Sequence, residues 1–197
     1  MILTRIRASL LCLAVPVVPR VGWSQAASPR EVSIDCGIYV AAIREMGDTN
    51  PVLVIDSTAA GVPAFAFNAI SHPRSLAEQG MPLPDSVLQS LRAANQHRQP
   101  LHACLEDLAG IQPISDSTIE VLFAGRDHLG WGRFHERYPR VKRFVLVSVP
   151  IFLTDSLALV YVAYAADWLE GEGALLQLER TANRRWTKKA IAIVWIS

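Results

Sequence analysis

Five histidines, His72, His97, His102, His128 and His135, set the first limits on what chemistry this chain can do. His128 and His135 are seven residues apart, so a helix through them places both on one face. Asp127 and Glu136 adjoin them, which makes Asp127, His128, His135 and Glu136 the candidate polar site. The close ligand pairs of zinc sites, such as His-Glu-x-x-His, are missing. A solvated helix face accounts for the same residues without a ligand. His97, His102 and Cys104 form a second set, but a spacing of five does not put two side chains on one helical face. No fourth ligand accompanies them.

Nucleophilic signatures are equally sparse. The chain has no Gly-x-Ser-x-Gly elbow, and Ser57, Ser71 and Ser148 stand without an adjacent motif. His72 can be drawn toward Asp56 or Ser57 across a cleft, yet a histidine before Pro73 is ordinarily a turn residue. Gly171-Glu172-Gly173 brings an acid where a phosphate loop needs none. With Asp167 and Glu170 it also lacks the regular oxygen spacing of a calcium loop, so it reads as a solvated hairpin tip. No catalytic residue, metal or cofactor is assigned on these grounds.

The elements that would position such groups follow an N-terminal export signal. Arg5 and Arg7 form a positive start, residues 9–18 an apolar stretch, and Ser24-Gln25-Ala26 a small-x-small cleavage site. Residues 1–26 are therefore expected to be removed, leaving 27–197 as a single domain. Pro16, Pro19 and Arg20 interrupt the pattern, and the competing reading keeps the segment uncleaved, holding the protein at the membrane. Cys12 lacks the small residue before it that lipoprotein cleavage needs.

Cleavage leaves two cysteines, Cys36 and Cys104. In an oxidising compartment they can bridge, stabilising the fold by about 4 kcal/mol through the loop they close. Two separate buried thiols are the alternative. Hydrophobic residues make up 51% of the chain and charged ones 19%, which excludes a disordered chain. Beyond residue 26 the chain holds 16 basic and 18 acidic residues, a net of −2. That balance argues against nucleic acid as a partner.

Periodicity predicts a helix from about 32 to 46 on Cys36, Tyr39, Val40 and Ile43, stopped at Gly47, then a short buried strand over 51–57. Glycines and prolines predict a long loop over 59–83, with Phe65 and Phe67 as its pins. A helix capped by Asp85 or Ser86 follows, with Val87, Leu88, Leu91 and Ala94 as its stripe, and 101–109 supplies another turn or two. The β-branched residues of 118–124 predict a second strand. Trp131, Phe134 and Tyr138 predict an amphipathic helix over 127–138, which Asp127 would cap.

Four runs close the chain, about 143–152, 157–166, 174–180 and 186–196, with short polar loops between them. Such loops favour antiparallel neighbours. In the third run Leu176 and Leu178 alternate with Gln177 and Glu179, which predicts one wet face. Phe144 to Ala166 is long enough to imitate a membrane span, but Asp155 at its middle would cost about 3 kcal/mol on insertion. A hairpin at Thr154-Asp155-Ser156 explains these residues, so no transmembrane span is expected in the mature chain. The fold class is α+β, with helices packed on a C-terminal four-strand antiparallel meander, in the general shape of cystatin or NTF2-like folds. The late aromatics, Trp131, Phe134, Tyr138, Tyr161, Tyr164, Trp168, Trp186 and Trp195, line a ligand groove or form the core itself.

This meander resembles a group of uncharacterised exported bacterial proteins. The likeness rests on residues 147–155, on Leu159-Val160-Tyr161-Val162, Gly171-Glu172-Gly173 and Arg185-Trp186, and on the ending Trp195-Ile196-Ser197. It extends to Val54-Ile55-Asp56-Ser57-Thr58 and to 95–101. In that group the turn after the second strand often carries two cysteines, and residues 166–171 have neither. The resemblance implies a fold and an exported location, but no reaction.

Three function classes follow. The leading expectation is a non-enzymatic exported domain, binding or structural, in the periplasm or outside the cell, with a protein or small molecule as partner. The second is a small exported hydrolase with its pocket between sheet and helices. The third is an immunity- or inhibitor-like protein with an exposed apolar patch.

Overall fold

Val52-Leu53-Val54-Ile55 is apolar on both faces, and a strand of that kind must be covered on both. The computed structural model, which describes residues 35–46, 51–59, 73–106, 108–124, 129–167 and 169–197, provides both covers. The elements in chain order are α1 (Cys36–Met46), β1 (Val52–Ile55), α2 (Pro73–Glu78), α3 (Asp85–Ala94), α4 (His102–Leu105), β2 (Ile111–Ile114), α5 (Asp116–Leu122) and α6 (Leu129–Arg137). The strands β3 (Phe144–Val147), β4 (Ile151–Thr154), β5 (Leu157–Asp167), β6 (Glu170–Arg180) and β7 (Trp186–Ile196) complete the chain.

All seven strands join one mixed sheet in the order β2-β1-β3-β5-β6-β7, with β4 also on β5. The long hairpins β5–β6 and β6–β7 are antiparallel, as the polar loops require. The first third is different, because β1 pairs with both β2 and β3 in parallel. The sheet is therefore larger than the expected four-strand meander. Helical crossovers make the difference, since parallel neighbours cannot be joined by a tight turn.

Period-two alternation sorts the sheet onto two faces. Val52, Val54, Val145, Val147, Ala158, Val160, Val162, Leu176 and Leu178 pack under α1, on Ile38, Tyr39, Ala42 and Ile43. On the other face Leu159, Tyr161, Ala163, Leu175, Ala192 and Val194 meet Leu76, Met81, Leu83, Leu88 and Leu91 of the α2–α3 region. Leu53, Ile55, Ile114 and Phe144 of the strands meet Leu122, Trp131 and Phe134 of the α5–α6 region. The wet face expected for the third run is confined to its end: Leu175 is fully buried opposite Leu176, while Gln177 is half-buried and Glu179 exposed.

Several expectations are corrected. Thr118–Leu122 is helix, part of α5, because Ser115 caps it by accepting the Thr118 N–H at 3.2 Å. Ile119 and Leu122 then point to the core while Val121 stays 70% exposed, so packing overrides β-branched propensity. The second strand is instead Ile111-Gln112-Pro113-Ile114, whose proline suits its place at the sheet edge. The long loop of 59–83 contains α2, and Phe65 and Phe67 lie outside the described residues. Helix α3 starts from Pro84 without a side-chain cap, and Asp85 is its first residue. Gly171-Glu172-Gly173 lies inside β6, opposite 163–165, rather than at the hairpin tip.

The run 143–152 breaks into β3 and β4 at Ser148-Val149-Pro150, both lying along β5. Fully buried Asn95 supports the break: its side chain accepts the Val149 N–H at 2.7 Å and donates to the carbonyls of Val149 and Leu91. Ser148 Oγ, also buried, accepts the Tyr161 N–H at 2.9 Å. The expected hairpin at Thr154-Asp155-Ser156 joins β4 to β5, and no described helix is long and apolar enough to cross a membrane.

Both outer edges of the sheet are guarded. Gln79 places its amide on β7, accepting the Ile193 N–H at 2.8 Å and donating to the Ile193 carbonyl at 3.0 Å. It imitates a neighbouring strand and so blunts the edge, while Pro113 interrupts β2. Trp195 crosses the small faces of Gly171 and Gly173 and donates from Nε1 to the Tyr161 hydroxyl at 2.8 Å. At the other end of the sheet Asp35 starts α1, accepting from the Gly37 N–H at 3.1 Å and from Trp186 Nε1 at 2.8 Å. Cys36 beside it lies at bonding distance from Cys104 of α4, an arrangement consistent with the expected bridge.

Candidate functional site

Parallel strands bring their carboxyl ends to one side of a sheet, and in open α/β sheets ligands gather there. In this protein β1 and β2 end together, with Ile55 opposite Ile114 and the Asp56 N–H on the Ile114 carbonyl at 2.9 Å. Ser57 leaves β1 at that point, and Ser115 and Asp116 leave β2 into α5. The Ser57 hydroxyl donates to Asp116 Oδ2, and the Arg98 guanidinium pairs with the same oxygen. Ser115 Oγ sits 2.8 Å from Thr118 Oγ1 and 3.0 Å from Ser117 Oγ. The result is a half-exposed platform of hydroxyls around one carboxylate and one guanidinium.

Arg98 reaches this platform on a strap. Asn95 is fully buried, residues 96–100 are exposed, and Leu101 is buried again. Between those anchors the backbone lies along the end of β1. The Thr58 N–H donates to the Gln99 carbonyl at 2.8 Å, the Gln99 N–H to Thr58 Oγ1 at 2.8 Å, and the Leu101 N–H to the Asp56 carbonyl at 2.7 Å. Chemically, the platform offers hydrogen-bond donors and acceptors to a polar ligand. Asp116 holds Ser57 and Arg98 in place rather than standing open.

Half of the four residues picked from the sequence fall among the described residues. Asp127 and His128 lie outside the described residues, as do His72 and Ser71. His135 and Glu136 are exposed on α6, and the His135 ring stacks on Trp131 at 5.9 Å. No group of three or more metal-binding side chains occurs among the described residues. The set His97, His102 and Cys104 loses its thiol to the disulfide, and His102 pairs with Glu106 at 2.8 Å along the exposed turn of α4. Ser148 is committed to backbone.

Of the late aromatics, Trp131, Phe134, Tyr161 and Trp186 are buried in the core, Tyr138, Tyr164 and Trp195 are half-buried, and Trp168 lies outside the described residues. Trp131 stacks on Phe144 with ring centres 5.7 Å apart and takes Phe123 edge-on at 4.9 Å, with Phe134 filling behind. Gly130 makes this possible, since a Cβ there would lie 2.5 Å from the Phe123 ring. Two shallow grooves flank α3 instead, away from the strand ends. One, of 230 Å³, is lined by Ser86, Val87, Ser90, Ile151, Phe152 and Leu153, and the other, of 170 Å³, by Asp85, Leu88, Gln89 and Arg92. Burial pushes the phenols of Tyr39 and Tyr161 up to about 12, with the Trp195 hydrogen bond partly opposing this at Tyr161. Both sit in the core, so these shifts mark packing rather than a site.

Asp116 and Arg98 escaped the sequence reading. Ser115-Asp116-Ser117-Thr118 is a helix-start signal, and weighing it above the β-branched run behind it would have found the platform's helix. Nothing local marks Arg98, whose partner is 18 residues away. Compared with protein families, curated proteins and solved structures, the chain matches none.

Proposed function

We propose that this chain is an exported, disulfide-stapled binding domain that acts in the periplasm or outside the cell. The observation that carries the reading is the Cys36–Cys104 bond, because such bonds persist in oxidising compartments. The positive, apolar and small-residue order of 1–26 supports the same location. Binding is favoured over catalysis by how the polar groups are used. Ser57, Asp116 and Arg98 hold one another at the strand ends, a rigid arrangement suited to recognising a polar partner. Membership in the group of exported bacterial proteins that share the meander motifs belongs to this proposal too.

Expression of the full chain in a Gram-negative host tests it. The expected product is periplasmic, begins at Ala27 by mass, and yields a Cys36–Cys104 peptide under non-reducing digestion. A cytoplasmic protein with intact Met1 and free thiols would overturn the reading, whereas intact Met1 in the membrane fraction would select the uncleaved form.

A small exported hydrolase is the second reading, favoured by one observation: a serine hydroxyl donating to a carboxylate at the carboxyl ends of parallel strands. Hydrolysis of p-nitrophenyl esters that disappears in Ser57→Ala would select it. Equal turnover by the two proteins would remove it.

A further inference from the structure

We propose that the Cys36–Cys104 bond is a redox-sensitive fastener for the 95–101 strap, and through it for the position of Arg98. The strap is held to residues 56–58 by two short backbone–backbone hydrogen bonds and by one from the Gln99 N–H to the Thr58 hydroxyl, in a stretch whose five central residues are all exposed. Thr58 and Leu101 are buried while residues 96–100 lie at the surface, so opening of the strap is a local event set by how its two ends are pinned. Asn95 pins one end, through its bonds to Leu91 and Val149. The other end runs through Leu101 into α4, a single turn of four residues. So short a helix does not hold itself. Cys104 lies in that turn, and its bond ties α4 to the start of α1, which Asp35 locks to Trp186.

Reduction by a dithiol breaks the Sγ–Sγ bond. Two electrons and two protons pass to Cys36 and Cys104, leaving two thiols here and a disulfide on the reductant. Cys36 is half-buried, so the bond is within reach of such an attack. The turn then loses its covalent tie and keeps the packing of Leu101, Cys104 and Leu105 under α1, so the strap opens more often, and Arg98 leaves Asp116 more often with it. This inference goes beyond the binding reading and stands on the purified protein. Failed export and failed coupling therefore give separate results.

The test is native-state amide exchange of the purified protein, oxidised and after reduction with dithiothreitol, over a series of sub-denaturing urea concentrations. Cys36→Ser/Cys104→Ser serves as a second reduced form. Local openings show no urea dependence, whereas global unfolding does. The expected result is that the Thr58, Gln99 and Leu101 amides exchange about tenfold faster on reduction, through urea-independent openings. Amides of the β5–β6 pair change only through the urea-dependent, global route. Equal urea-independent rates at the three strap amides in both forms would overturn the proposal. So would a reduced protein in which strap and sheet lose protection together.

Discussion

Alanine at Gly173 is the sharpest available test of how the sheet is packed. A Cβ built there lies 2.0 Å from Trp195 Nε1, 2.6 Å from Trp195 Cε2 and 2.6 Å from the Tyr161 hydroxyl. Gly173 does not have a positive φ, so alanine meets no backbone strain, and the effect isolates the side-chain clash. Trp195 must swing away, and the Tyr161 hydroxyl, whose residue is fully buried, loses its indole donor. Overpacking costs about 1–3 kcal/mol and a buried hydroxyl deprived of its partner about 1–3 kcal/mol. The two overlap in one relaxation, so about 3 kcal/mol is expected, a fall of about 6–12 °C in Tm for a domain of this size. Urea unfolding followed by far-UV circular dichroism measures it, with near-UV dichroism reporting the indole. In a Tyr161→Phe/Trp195→Leu background the obstructing atoms are gone, and Gly173→Ala should become neutral or stabilising by up to about 1 kcal/mol. A wild-type Tm for the single variant, or an equal penalty in both backgrounds, would refute the packing argument.

Three further outcomes follow from named contacts. The raised phenols of Tyr39 and Tyr161 keep their protons in the folded chain to about pH 12, while the unfolded chain loses them near pH 10. Their contribution is thus fully present below pH 10 and falls by about 1.4 kcal/mol per pH unit per tyrosine between pH 10 and 12. Urea midpoints across that range should show the decline, and Tyr161→Phe should remove about half of the slope. Asn95→Ala strips the side-chain partners from Val149 and Leu91 at the β3–β4 break and should cost about 2–4 kcal/mol by urea unfolding. A loss below 0.5 kcal/mol, to use a rough surface-substitution scale, would show the break to be held otherwise. Gln79→Ala uncovers Ile193 on the β7 edge, and light scattering of concentrated samples should show association that wild type does not.

Much of the fold was legible where local chemistry and burial agree. Leu88 and Leu91 repeat at helical spacing and α3 follows; polar loops separate the last runs and β5, β6 and β7 pair in sequence. The reading failed where distant contacts decide. Thr118, Ile119 and Val121 favour strand locally, yet the Ser115 cap and the Phe123–Trp131–Phe144 stack draw the segment into a helix. Ile111-Gln112-Pro113-Ile114 has too little pattern to announce a strand, and becomes one only because β1 offers it a parallel edge. The candidate site was illegible for the same reason: Ser57, Arg98 and Asp116 are separated by 41 and 18 residues and share no motif.

The sequence alone determined the α+β composition, the C-terminal antiparallel hairpins, the hairpin at Asp155 and the two cysteines able to pair, because each depends on neighbours in the chain or on simple counts. The tertiary structure decided that Cys36 and Cys104 meet, that the sheet has a parallel third, and that one carboxylate gathers a serine and an arginine at its end. Those features arise from contacts between residues far apart in sequence. Periodicity carries no record of such contacts, since it registers which face a side chain occupies and not what lies opposite it.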